Sequence, residues 1–144
     1  MPQSFFVGRT EGHGVVHEIS GRQRRCRILT QGVADPGRDA VQFNETFDYE
    51  DGVSDPWRWV IARGADGRYV ASESLAGPGL MGRIENGDYV LSFRRPLRPG
   101  AGFPKPRFRT RFTLLAPDTA LKRVRISLFG VPVATLTAFH KRVG

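Results

Sequence analysis

The sequence predicts an all-β chain folded as one closed antiparallel up-and-down β-barrel of about eight to ten strands, a single domain over residues 1–144. Three observations carry that expectation. Short runs alternate apolar and polar residues with period two. Turn residues separate the runs at close, even spacing, supplied by 17 Gly and 10 Pro. No helical stripe extends beyond two turns. Nearly all connections are short, which suits a meander closing on itself better than a Greek key.

The elements follow in order. A first strand over 13–20 ends at Gly21, and a second over 24–31 ends at Gly32 and the turn at 34–37. The third, 40–50, alternates most cleanly and closes at Asp51-Gly52. The fourth, 57–63, meets the fifth, 68–74, across the hairpin signal Ala65-Asp-Gly67. The sixth, 80–85, meets the seventh, 88–95, across Asn86-Gly87, the strongest hairpin signal of the chain. Residues 96–106 are too rich in proline for a central strand. The eighth strand covers 107–115 and is closed by Pro117-Asp118. The ninth, 121–128, is broken at Gly130 and Pro132, and the tenth covers 133–141. Phe5, Phe6 and residues 8–12 read as an entry segment crossing one end of the barrel.

Composition narrows the classes of function. One cysteine, Cys26, excludes an internal disulfide framework; it reads as a small buried hydrophobe or, less simply, a reactive thiol. No run approaches the roughly 18 apolar residues of a membrane-spanning helix, and the first ten residues lack a signal-peptide pattern, so the expected location is cytoplasmic. The net charge of +8 is uneven: residues 1–88 hold 10 basic and 13 acidic side chains, whereas residues 89–144 hold 12 basic ones against Asp118 alone. Such asymmetry hints at an anionic partner. Nineteen of the 22 basic residues are Arg, whose planar fork suits carboxylates and phosphates.

The third strand holds the most informative residue. One face carries Val41, Phe43, Glu45, Phe47 and Tyr49, so Glu45 lies in the middle of an apolar face. A lone buried carboxylate must be paired, protonated or beside a wet cavity. Glu45 is therefore either a brace bonded to an inward Arg or Tyr, or a polar anchor or catalytic acid/base inside a cavity. Trp57, Trp59 and Ile61 share one face of the fourth strand. They and Tyr69, Tyr89, Phe93, Phe108, Phe112 and Phe139 are core fillers or walls of a ligand cavity, since a barrel of this size can hold one small ligand.

The eighth strand sets Phe108, Thr110, Phe112 and Leu114 against Arg107, Arg109 and Arg111, and the ninth adds Arg123 and Arg125. If these arginines face outward on adjacent strands, like charges oppose one another. An anion would relieve that cost; a solvated basic face is the simpler alternative. Metal chemistry has little support. His13 and His17 would lie roughly 13 Å apart on a strand, too far to share one ion, and His140 has no visible partner. No Walker loop, Cys-x-x-Cys pair or nucleophile elbow is present, and no metal or cofactor is expected.

The segment Phe6-Val-Gly-Arg-Thr-Glu-Gly-His-Gly14 resembles the opening of an uncharacterised bacterial domain-of-unknown-function family, many of whose members are lipoproteins. The resemblance continues at Glu45-Thr-Phe-Asp-Tyr-Glu-Asp-Gly52, at Trp59, at Asp66-Gly-Arg-Tyr69 and at Ser127-Leu-Phe-Gly130. It implies a lipocalin-like barrel and no established reaction, with lipid or envelope biology at most. The chain lacks the lipoprotein signal of many members, so anchoring is not carried over. It also reads Arg109-Thr-Arg111 where members often show an acidic pair before a Trp, which favours an anionic ligand here.

Three functions compete. The first is binding of a hydrophobic small molecule, such as a fatty acid, lipid or isoprenoid, inside the barrel. The second is an isomerase- or hydratase-like enzyme using Glu45 for proton transfer. The third is an anionic-surface binder acting through Arg107, Arg109, Arg111, Arg123 and Arg125. There an acidic lipid is favoured over nucleic acid, because the aromatics that would stack on bases alternate with the arginines and should point inward.

Overall fold

The computed structural model describes residues 2–144. Ten strands form a closed barrel: β1 (Gly8–Glu18), β2 (Gln23–Ala34), β3 (Ala40–Tyr49), β4 (Ser54–Arg63), β5 (Tyr69–Glu73), β6 (Gly77–Glu85), β7 (Asp88–Arg94), β8 (Arg107–Ala116), β9 (Thr119–Leu128) and β10 (Val131–Arg142). Each strand pairs antiparallel with its chain neighbours, and β1 pairs with β10 to close the ring. Closure leaves no strand at a free sheet edge, although β6 pairs with β7 only from Gly82 to Glu85. The one helix among the described residues, α1 (Pro2–Phe5), is four residues long. No helix among the described residues is long and apolar enough to cross a membrane.

Nine strands fall where alternation puts them. β1 differs: it begins at Gly8, so residues 8–12 are strand rather than entry segment. The glycines that hide its alternation are there for close approach. A Cβ on Gly12 would sit 2.2 Å from the Phe139 carbonyl oxygen, and one on Gly32 of β2 would sit 2.1 Å from that of Phe6. Only α1 and the two residues after it cross the barrel end, where Phe5 and Phe6 are buried.

The interior is the core. Phe43 and Phe47 of β3, Trp57, Trp59 and Ile61 of β4, and Tyr89, Leu91 and Phe93 of β7 are all buried, with Phe108 and Phe112 of β8. Glu45 is 1% exposed, so the register of the third strand is as alternation requires. Two side chains expected inside lie outside. Phe139 is 55% exposed, because Leu136, Ala138 and His140 are the inward residues of β10. Leu114 is 39% exposed beside a register shift between Leu114 and Ala116.

The meander gives the barrel two unlike ends. α1 covers one, together with the turns β2–β3, β4–β5, β6–β7 and β8–β9. The other is framed by the turns β1–β2, β3–β4, β5–β6 and β9–β10 and by the long loop after β7.

Candidate functional site

A cavity of about 750 Å³ enters the barrel from the uncovered end. Its wall is a continuous aromatic surface. Trp57 and Trp59 stack with ring centroids 5.9 Å apart; Phe93 and Phe108 stack at 5.3 Å and meet Trp57 edge-on; Phe47 lies 6.0 Å from Trp57. Val124, Ile126 and Leu136 complete the wall opposite.

The floor is an ion pair. Lys122 Nζ donates to Glu45 Oε2 at 2.8 Å, and Trp59 Nε1 donates to Glu45 Oε1 at 3.2 Å. Glu45 thus has a partner on each oxygen, which answers the cost of burying it. The partner is a lysine, reached from β9 on the far side of the barrel. Below the floor lies a small void of about 40 Å³, closed by Pro2 and Phe6 and bordered by Phe43, Tyr89 and Phe112. The Tyr89 hydroxyl has no partner among the described residues, and burial pushes its acidity well below that of a free phenol.

A second ion pair braces the wall nearer the mouth. Arg95 Nε donates to Glu73 Oε1 at 2.9 Å, and the Arg95 guanidinium lies 3.6 Å above the Trp57 ring. Burial pushes the Glu73 carboxyl up. The hydrogen bonds from Arg95, the Ser74 hydroxyl and the amides of Ala76 and Leu75 outweigh it and leave the group below its ordinary value. Asp55 lines the same stretch and accepts from Trp57 Nε1 at 3.0 Å. There burial dominates over the Trp57 bond and the Arg95 charge, so this carboxyl is raised. Tyr49, under the Arg24 guanidinium, is raised by burial to about 12.

Of the inward side chains expected from the sequence, Glu45, Phe47, Tyr49, Trp57, Trp59, Phe93 and Phe108 line this cavity. Four others do not. Phe43, Tyr89 and Phe112 border the small void, and Tyr69 packs on Tyr89 with centroids 5.3 Å apart. Period-two alternation assigns a face but no height along the barrel axis, so it groups residues of both ends together. Lys122, Arg95, Glu73 and Asp55 stand outside the expected site, although the signal that marks Glu45 marks three of them. Lys122 stands between inward Ala120 and Val124, Arg95 continues the row Tyr89, Leu91, Phe93, and Glu73 continues Tyr69, Ala71.

His140 is fully buried at the covered end, edge-on to Phe6, with neither ring nitrogen partnered among the described residues. Burial, helped by the Lys122 charge and opposed by Glu45, lowers it to about 4. His13 and His17 are exposed. Cys26 is buried, and burial raises its thiol, the mark of an inert rather than a reactive cysteine. No group of three or more His, Cys, Asp or Glu side chains that could hold a metal occurs among the described residues.

On the outside, Arg109 lies directly opposite Arg125, and Arg111 opposite Arg123. With Arg83 and Arg107 they border a concave strip across β6 to β10. Arg111 is neutralised by Asp88 and Glu85 at 2.8 and 3.1 Å. Arg107, Arg109, Arg123 and Arg125 have no carboxylate within 4.0 Å among the described residues.

A closed antiparallel barrel of this form, plugged at one end and hollow at the other, is a lipocalin-like barrel. The solved structure of an S-type phycobiliprotein lyase from Guillardia theta has the same fold, with a TM-score of 0.70 over 98% of this chain and 90% of that one, at 11% identity. The chain itself belongs to the DUF3833 family of proteins of unknown function, whose model it matches over residues 1–142. No curated protein matches it.

Proposed function

We propose that the protein binds an elongated hydrophobic small molecule of fatty-acid, lipid or isoprenoid type inside the barrel. The observation that carries this reading is the aromatic cavity of about 750 Å³, open at one end and floored by a buried ion pair. That volume lies within the usual range for small-molecule sites, and the lining has their usual make-up, mostly apolar with a few convergent polar groups. The apolar body of a ligand would lie against Trp57, Phe93 and Phe108, with Arg95 or Lys122 meeting its polar group. Proton transfer by Glu45 is less well supported, since both its oxygens are already engaged. Native mass spectrometry of protein purified without detergent tests the reading. A co-purified apolar species, released by organic extraction, is the expected result; protein that stays ligand-free and takes up no fatty acid would contradict it.

A second reading has its own observation. The directly opposed pair Arg109–Arg125, neither of which has a carboxylate partner among the described residues, places like charges across neighbouring strands, a cost that an anionic surface relieves. We assign to this strip, with Arg107, a weak and salt-sensitive attraction for acidic lipid headgroups.

A further inference from the structure

The three most exposed large apolar side chains among the described residues are Phe103 (82%), Phe129 (74%) and Ile19 (74%). All three stand on connections at the open end: Ile19 after β1, Phe103 in the loop after β7, and Phe129 between β9 and β10. Leu97, Val53 and Val131, each at least half exposed, stand around the same mouth. The turns at the covered end present a different chemistry. Asp35-Pro-Gly37, Ala65-Asp-Gly67, Asn86-Gly87 and Pro117-Asp118 carry no large apolar side chain.

Two of these residues hold positions that folding alone does not reward. Phe129 and Gly130 both have positive φ, 52° and 78°, the geometry of a tight hairpin turn. Asn86-Gly87 makes the corresponding turn at the other end with the residue type that tolerates it, at φ 51° and 83°. A phenylalanine in the left-handed region is strained. Its ring is left mostly in solvent, against the still more exposed Phe103, 5.8 Å away and from a different loop. Beside them, residues 94–107 hold five basic side chains and no acidic one. Of these only Arg95 is buried in an ion pair; Arg98 and Lys105 are exposed without a carboxylate partner among the described residues.

We propose that the open mouth docks on an anionic lipid bilayer: Phe103 and Phe129 insert, with Ile19 and Leu97, while Arg98, Lys105 and Arg107 meet the headgroups. This rests on the ligand reading above, because it supplies the route by which an apolar ligand passes between bilayer and cavity without crossing water. The occupant follows from the shape and charge of the patch. Its apolar groups are separate tips on several loops, projecting around an opening. A fluid interface accommodates such points, whereas a protein partner needs a continuous complementary surface. The loop after β7 carries positive charge alone, complementary to acidic lipid, and Asp51 of the β3–β4 turn is paired with Arg22 and Arg24.

The test is flotation of the whole chain with phosphatidylcholine vesicles containing about one third phosphatidylglycerol. The wild type should float. Phe103→Ser combined with Phe129→Asn should lower vesicle partitioning roughly tenfold or more, by removing the two inserting aromatics. Phe129→Asn should at the same time leave thermal stability unchanged or raised, since Asn relieves the strained turn. Uptake of free fatty acid, read by tryptophan fluorescence, should be unaffected by either change. Vesicle binding that survives while fatty-acid uptake is absent would sustain the docking surface and remove only the ligand reading. Wild type that stays unbound, or a double variant that floats equally well, would overturn the proposal. So would a wild-type dimer that the same substitutions dissociate, which would assign the patch to a second copy.

Discussion

The two ends of the barrel solve opposite problems with one meander. At the covered end α1 seals the interior, Phe6 stacks on Phe43 with centroids 4.2 Å apart, and Thr10 and Thr30 share a hydrogen bond between their hydroxyls. The turns there use Asp, Asn and Gly, whose backbone preferences match the geometry. At the open end the interior is hollow, two glutamate-based ion pairs line it, and turn positions are given to Phe and Ile. The difference separates a region built for stability from one in which stability has been relinquished for access. The most exposed large apolar side chains, and the strained Phe129, stand around the cavity mouth.

The largest expected effect strikes the boundary between the two ends. Lys122→Met leaves Glu45 buried with only the Trp59 indole as partner, and should destabilise the fold by about 3–5 kcal/mol. Adding Glu45→Gln should restore much of the loss, because no charge then remains buried. Urea denaturation of both variants measures this. Equal midpoints for Lys122→Met and wild type would mean that the pair is not the barrel's structural partition.

His140 sharpens the account of the covered end. Its folded value of about 4 lies below the ordinary 6.5, so the unfolded chain binds a proton that the folded one rejects. Stability should therefore fall as the pH drops from about 6.5 towards 4 and level off below, a loss of the order of 3 kcal/mol from this group. His140→Leu should flatten that part of the profile and be at least as stable as wild type near pH 5, since it also removes two unpartnered nitrogens. Parallel pH profiles for the two proteins would contradict the placement of the imidazole.

The smallest effect belongs to the outer wall. Arg125→Glu converts an opposed pair into an attractive one, and should stabilise by a few tenths to about 1 kcal/mol at low salt, fading as salt is added. The same change should weaken attraction to acidic vesicles. A stability gain that persists at high ionic strength would point away from electrostatics.

The fold was almost wholly legible in the sequence, because a closed meander needs only period-two alternation and turn chemistry, both local signals. Residues 8–12 are the exception, and for a physical reason: glycines demanded by distant backbone, the Phe139 carbonyl above all, erase the alternation that would have revealed the strand. The site was legible in part. Alternation placed Glu45 inside but could not name Lys122, 77 residues away, as its partner. Nor could it divide Trp57 and Phe93 of the cavity from Phe43 and Phe112 of the plug, since height within a barrel depends on strand tilt and register across all ten strands.

Trp57 and Trp59 are the only tryptophans of the chain, and both line the cavity. Their fluorescence therefore reports on the hollow end. Titration of delipidated protein with a long-chain fatty acid should shift or quench that emission and saturate at micromolar concentrations. Emission that stays unchanged through saturating fatty acid, in protein shown to be folded and ligand-free, would contradict the claim that the open end of this barrel is a binding site.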